Sequence, residues 1–440
     1  KISLAFFLFI NKLYNIYFKM NIGLIGNGGR EHSLCKKIYE SRSVKKIFCF
    51  PGNAGTENIA KNININLSDF EELKKIIFKN KIEMVIVGPE KPLVEGVVDY
   101  LEENNILVFG PNKIAAQLEG SKTFTKELCK KHNIPTAKFE IFYKSEDAKK
   151  FLKISKYPLV IKADGLAAGK GVYICENELS GQNAIEEIFG GKFGKPEKLL
   201  IEEFLQGEEM SFFIISDGKT FKVFGTAQDH KKVGEGDIGP NTGGMGSYSP
   251  SRLENKILEK KILAKIIQPT LKALKDKNNK FKGFLYAGLM IVNNEPYLIE
   301  YNVRMGDPEC QTILPKLKID LLKLIIACCE KNLANIKINW HDKKSLCVVL
   351  CAKGYPDKYK KNLIINNINK INLKKNEYIY HAGTKIDKGQ IYSNGGRVLN
   401  FVCLSNNFKK SRNIINNLIR LLNWPDGFFR KDIGYKVIDK

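Results

Sequence analysis

The ten cysteines, at 35, 49, 129, 175, 310, 328, 329, 347, 351 and 403, include no C-x-x-C pair. That absence removes the usual spacing of a structural zinc site and leaves no sign of a disulfide framework. Most of the thiols are expected to be small buried hydrophobes in a reducing, cytoplasmic protein. Nor is any stretch fit to cross a bilayer. The apolar run at 4–10 is broken by Asn11 and Lys12, whereas a spanning helix needs about 20 apolar residues. Residues 1–19 carry no small-residue cleavage site before Met20, so they are expected to form an extension outside the fold, with Met20 as the natural start. No internal repeat is present.

Arginine is scarce beside lysine, and the net charge is +24. A field of that sign attracts nucleic acid without regard to sequence. Here, however, the lysines are spread among Ile and Asn, as at 61–66 and 360–375, and form no stripe. They are expected to make a solvated face, not a nucleic-acid site. Three of the few arginines, Arg30, Arg304 and Arg397, sit inside glycine-rich or acidic motifs. Lysine cannot copy the planar, two-pronged donor of arginine, so these positions point to anion recognition.

What the chain does have is an ordinary globular composition, 43% hydrophobic and 27% charged over 440 residues. That length suits two to four domains of about 100–200 residues. From Met20, apolar strands at 22–25, 46–50, 84–87 and 107–109 alternate with helical segments at 31–40, 69–79 and 93–103. The alternation predicts a doubly wound parallel sheet that binds ligands at the carboxyl ends of its strands. After Gly110-Pro111 the pattern changes. A helix over 114–132 leads to strands at 159–162, 199–203, 285–292 and 296–300, and a tail from 331 carries strands at 346–352 and 398–403 and a helix at 409–423.

Chemistry is concentrated in three segments. Gly26-Asn27-Gly28-Gly29 follows the first strand and opens a helix, which puts backbone N–H groups where they cradle a phosphate. It is no dinucleotide fingerprint, because Glu31 stands at the third glycine and the second strand closes on Phe50-Pro51 without an acid. A smaller phosphorylated metabolite, met by Arg30, is expected instead. The loop DGLAAGKG at 164–171 resembles a phosphate-binding Walker loop but lacks the Ser or Thr after Lys170 that would hold magnesium. The metal ligands must then lie elsewhere. Glu300 and Asn302, two positions apart on an extended segment, share a face and offer the oxygen donors that suit Mg²⁺. Lys162 and Lys170 would neutralise phosphate charge. The third segment, IEEFLQGE at 201–208, can present its backbone to an adenine edge with Glu208 on the ribose hydroxyls.

In this order the segments are similar to the ATP-grasp superfamily, and further motifs make the resemblance specific. They are GNGGREH at 26–32, PGNAG at 51–55, VGPE at 87–90, QLEGSK at 117–122, KADGLAAGKGV at 162–172, QDHK at 228–231, GPNTGGMG at 239–246, EYNVRMGDPE at 300–309, HAGTK at 381–385 and GGRV at 395–398. Together they resemble the phosphoribosylamine-glycine ligase family over nearly the whole chain from Met20. The resemblance implies an α/β protein with an amino-terminal doubly wound parallel-sheet (pre-ATP-grasp) substrate domain at 20–122, a central ATP-grasp domain at 123–330 and a small carboxyl-terminal α+β domain at 331–440. It further implies an ADP-forming carbon–nitrogen ligase that joins glycine to 5-phospho-D-ribosylamine through a glycyl phosphate, the second step of de novo purine synthesis.

By the same resemblance, ATP is a substrate held by Lys122, Lys162, Gly169, Lys170, Gly171, Glu202, Glu203, Leu205 and Glu208, and Mg²⁺ or Mn²⁺ is held by Glu300 and Asn302. Substrate contacts fall to Gly28, Gly29, Arg30, Gly52, Asn53, Gly88, Glu90, Asp229, His230, Lys231, Asn241, Gly243, Gly244, Arg304 and Arg397. Lys162, Lys170, Arg304 and Asp307 act in catalysis. Small molecules are the expected partners, with neither nucleic acid nor membrane, and a monomer or weak dimer is expected. Two departures stand out: Met305 where the family often has a larger or branched apolar residue, and a strand at 286–292 without the second acidic metal ligand general to ATP-grasp enzymes. A biotin-dependent carboxylase subunit is the nearest alternative, and the RMGDPE run and PGNAG loop argue against it.

Overall fold

Strands buried on both faces read as unbroken apolar runs, because helices cover both sides of the sheet. Met84–Val87 is such a strand, buried at every position. In the computed structural model, which describes residues 19–166, 171–194, 197–276 and 279–438, it belongs to a five-stranded parallel sheet. The strand order is Lys61–Asn62, Val44–Pro51, Met20–Gly26, Met84–Val87 and Leu107–Phe109. Chain direction across the sheet reverses between Met20–Gly26 and Met84–Val87. The carboxyl ends of those two strands therefore flank the crevice where doubly wound sheets bind ligands.

Two expected helices are broken, each for a local reason. The segment 93–103 forms Glu90–Glu95 and Val97–Glu103, because Gly96 between them takes φ +97, a left-handed conformation that ends a helix. The segment 114–132 forms Gln117–Gly120 and Lys122–Lys131. Ser121 is extended, and its hydroxyl accepts the Phe124 N–H at 3.1 Å, which starts the second helix afresh.

Two antiparallel sheets follow. The smaller has the order Phe139–Phe142, Leu199–Glu203, Leu159–Ala163, Val172–Cys175, and it has its own core around Ile161, Ile185 and Ile201. The larger, of nine strands, runs Glu295–Asn302, Lys282–Val292, Glu208–Asp217, Phe221–Asp229, Gly246–Ser249, Lys344–Ala352, Arg397–Ser405, Glu377–His381, with Gly427–Phe428 paired to Lys344–Ala352. Its strand Glu208–Asp217 is missing from the sequence reading because it is buried from Met210 onward and shows no two-fold alternation. The sheet passes without a break into the carboxyl-terminal region through the pairing of Gly246–Ser249 with Lys344–Ala352. One continuous core joins the amino-terminal sheet to it, with Ile25, Val85 and Leu93 packed alongside Phe212, Leu285 and Leu298. Among the described residues no helix is long and apolar enough to cross a membrane.

The amino- and carboxyl-terminal regions meet at two buried histidines. His32 Nδ1 accepts the backbone N–H of His381 at 2.8 Å. Burial pushes His381 down to about 4, and burial together with His381 and Lys36 pushes His32 well below its ordinary value. Both imidazoles therefore bind protons more readily in the unfolded chain. Their contribution to stability is complete above an unfolded value near 6.5 and is lost as the pH falls toward 4, a loss of about 3 kcal/mol for His381 alone. The urea midpoint should accordingly fall between pH 7 and pH 5 in the native chain and fall less, by about half, in His381→Gln, where His32 remains. Equal falls would assign the acid sensitivity to other groups.

Candidate active site

A cleft of about 280 Å³ opens where the two antiparallel sheets and the amino-terminal domain meet. It gathers residues that are far apart in sequence. Arg30 and Glu90 come from the first domain, Lys162 and Glu202 from the smaller sheet, and Asp229, Lys231, Glu300 and Asn302 from the larger one. Lys122, Gly171, Gly243, Arg304, Asp307 and Arg397 complete much of the wall.

The lysines converge on two carboxylates, Glu202 buried and Glu300 half-buried. Glu202 receives Lys162 Nζ at 2.9 Å and Lys126 Nζ at 3.0 Å on one oxygen, while its other oxygen is buried without a partner. Burial opposes ionisation of Glu300, yet Lys231, Lys162 and Lys122 around it hold its carboxyl below the usual range. Asn302 lies two positions further along the same strand, its amide nitrogen buried and unpartnered. A carboxylate and an amide aimed into a lysine-lined cleft form a donor set that fits a hard divalent cation and the phosphates it would carry.

Toward the amino-terminal domain, acids and arginines alternate. Arg304 binds Glu90 through Nε at 3.1 Å and Glu119 through Nη2 at 2.6 Å. Arg30 binds Glu31 at 2.5 Å and the Met305 carbonyl at 3.2 Å. Arg397 donates to the Asp307 carbonyl at 2.6 Å. Burial would raise the Asp307 carboxyl, but Arg397 and Arg30 bring it below the usual range. Burial pushes Glu119 up to about 7 despite its contact with Arg304.

The first glycine turn differs from its expected use. The Glu31 carboxylate folds back into it and accepts the Gly28 N–H at 2.7 Å. Gly88 closes the other side, since a Cβ there would lie 2.2 Å from Glu31 Oε1. The helix N-terminus is thus already served by an internal anion. Gly28 and Gly29 shape this turn, while Arg30 reaches the cleft from it.

Several expected contacts lie off the cleft. Glu209 and Ser211 line a small pocket that shares Asp229, Lys231 and Glu300 with the cleft, and Glu208 is tied to Arg252 and to Gln228 at 2.7 Å. His230 likewise points away from its neighbours Asp229 and Lys231. Its Nε2 accepts the Gly434 N–H at 3.0 Å and its Nδ1 meets Asp237 at 3.3 Å. Asn53 is spent on internal bonds to the Asn27 and His381 carbonyls, both at 2.9 Å. Glu203 accepts the Lys138 N–H at 2.9 Å. Leu205 and Asn241 are half-buried outside the wall, and Gly52 and Gly244 serve turns at φ +73 and +110. Gly169 and Lys170 lie outside the described residues. Met305 is buried in the core beside Cys310 and Ile313.

The sequence reading also missed cleft residues: Glu119, Lys126, Glu209 and Glu309. Glu119 sits inside the QLEGSK motif, and that membership was the only signal for it. Glu309 closes the EYNVRMGDPE run in the same way.

Two antiparallel sheets closing on a cleft of lysines and paired oxygen donors, set beside a doubly wound domain, define an ATP-grasp enzyme. The biotin carboxylase domain of Hydrogenobacter thermophilus 2-oxoglutarate carboxylase, solved with magnesium ADP, shares this fold with a TM-score of 0.69 at 17% identity, over 95% of this chain and 98% of that one. More particularly, the chain belongs to the phosphoribosylglycinamide synthetase family, matching its N domain at 20–119, its ATP-grasp (A) domain at 120–310 and its C domain at 345–436. It is 44% identical over 420 residues to the phosphoribosylamine–glycine ligase of Mesorhizobium japonicum, spanning 95% of this chain and 99% of that protein. The crystal structure of the Thermotoga maritima phosphoribosylamine–glycine ligase aligns with a TM-score of 0.82 at 31% identity, over 94% of this chain and 100% of that one.

Proposed function

We propose that this chain joins glycine to 5-phospho-D-ribosylamine, consuming ATP and releasing glycinamide ribonucleotide, ADP and phosphate. The carrying observation is the half-buried Glu300 carboxylate, ringed by Lys122, Lys162 and Lys231 with Asn302 beside it. Such a ring serves phosphoryl transfer to a carboxylate, where positioning and positive charge do most of the catalysis. Lys122 and Lys162, joined by Lys170, neutralise the triphosphate, and the strand end at Glu202, Glu203 and Leu205 receives the adenine. Glu300 and Asn302 hold Mg²⁺, or Mn²⁺ in its place. When bound, that cation would offset charge on the transferred phosphoryl group. With only two protein donors, the cation would draw its other ligands from phosphate oxygens and water, as Mg²⁺ commonly does.

Arg304 and Asp307 orient the glycine and the attacking amine. Arg304 is pinned by Glu90 and Glu119, which fixes its guanidinium before substrate arrives. Because Glu31 fills the first glycine turn, the sugar phosphate is placed on the cleft side, near Arg30, Arg397 and the Gly243 backbone. All these groups come from one chain, which supports a working monomer or weak dimer, and the free thiols support a reducing cytoplasm. The test is ADP release with glycine and freshly prepared phosphoribosylamine. Turnover that requires both is expected, and turnover with bicarbonate but not glycine would reject the reading.

A further inference from the structure

A two-stranded hairpin on its own is marginal in water. The strands Lys232–Gly234 and Ile238–Asn241 form such a hairpin and join neither large sheet. Its outgoing end leads directly into Thr242 and Gly243, which line the cleft, so wherever the hairpin settles, that loop follows. The carboxyl-terminal segment grips it. Arg430, only 1% exposed, binds Asp237 at the hairpin tip at 2.7 Å and the Lys232 carbonyl at 2.9 Å, while Asp432 orients its guanidinium through two bonds, at 2.8 and 2.7 Å. Tyr435 OH donates to Asp237 at 2.9 Å, Lys436 lies 3.1 Å from it, and Asp432 accepts the Gly236 N–H at 2.9 Å. His230, at the incoming end, receives the Gly434 N–H.

An ionic network of this density, built on one buried arginine and half-buried partners, is a poor device for stability alone, since exposed ion pairs add little and buried ones are often matched by apolar packing. What it supplies is direction, because each bond has a fixed geometry. Gly243 is held from the cleft side too, its N–H by Tyr355 OH at 3.0 Å and its carbonyl by Arg397. Building on the function proposed above, we infer that residues 430–436 are a strap that sets the Thr242–Gly243 loop, and that Arg430 and Asp237 are positioning residues for the sugar-amine substrate. Neither touches the cleft. They act through the hairpin.

Arg430→Met keeps the bulk and removes the grip. Asp237→Asn removes the charge and turns one acceptor oxygen into an N–H donor facing these groups, while Asn tolerates the left-handed backbone at φ +58. In both, hydrogen exchange across 231–245 is expected to quicken while the rest of the chain is unchanged, a readout independent of what the substrate is. The KM for phosphoribosylamine should rise about tenfold or more, because small misplacements of binding groups are costly, with the KM values for ATP and glycine within about twofold. Arg430→Lys should recover part of the loss, as it keeps charge against Asp237 but not the double bond to Asp432. If Arg430→Met does not fold, Tyr435→Phe, which removes one hydroxyl bond to Asp237, should still quicken exchange of the hairpin. Unchanged exchange, a parallel rise of all three KM values, or quickened exchange with an unchanged KM for the sugar amine would each overturn the inference. A native chain inactive with glycine would instead reject the underlying function and leave the exchange result to judge the strap.

Discussion

Glu300→Ala is expected to lower kcat by roughly 10³-fold, with protein stability little reduced. The side chain is half-buried with Lys122, Lys162 and Lys231 around it, so its removal takes away the anion that balances them and the carboxylate that would anchor the cation. A metal bridge to the transferred phosphoryl group is worth several kcal/mol, and about 4 kcal/mol corresponds to three powers of ten. The loss should not be made good by raising Mg²⁺ into the ordinary millimolar range, because Asn302 alone is a neutral ligand. Steady-state kinetics across a magnesium titration decides the point. Near-normal kcat in Glu300→Ala would mean that the cation sits elsewhere.

Arg304→Met should be the most destabilising single change in the cleft. The guanidinium is buried against Glu90 and Glu119 and bonds the Met305 carbonyl at 3.1 Å. Burial works against the Glu90 carboxyl, yet Arg304 and Arg30 hold it down to about 2, so it is ionised at any working pH. Removing the arginine leaves the half-buried Glu90 carboxylate without its main partner while Glu119 takes up a proton, a cost of about 1–3 kcal/mol. Adding Glu119→Gln should return part of that loss, because the two sites share one interaction. Urea denaturation of the single and double variants measures the coupling. The kinetics separate bracing from contact: with stability restored, the KM for glycine should stay raised if Arg304 also meets the substrate, and should recover if it only braces the wall.

The sequence made some of this architecture legible and hid the rest for physical reasons. Glu300 and Asn302 were readable as a pair because alternate residues of a strand share a face, whatever the strand packs against. The same rule could not tell Glu208 from Glu209. Parity is a local property, but which parity faces the cleft is set by packing against Lys282–Val292 and Phe221–Asp229. His230 was misplaced for that reason too. The turn at Gly28 was recognised as an anion cradle, and Glu31 was noted where a third glycine would stand, but its folding back to occupy the cradle needs the tertiary approach of Gly88. Glu119 and Arg304 lie 185 residues apart, and nothing local to either announces the contact. The carboxyl-terminal domain was legible as a unit, and it matches the family's C domain at 345–436, but nothing local announced that its strands extend the central sheet through Gly246–Ser249.

Where the triphosphate lies decides the roles given to Glu300 and Asn302. A crystal structure of the full chain with a non-hydrolysable ATP analogue and magnesium should show the cation between Glu300, Asn302 and the terminal phosphates, with Lys122 and Lys162 within hydrogen-bonding distance of phosphate oxygens. A nucleotide bound away from Glu300 and Asn302, or a cation held by other carboxylates, would contradict it.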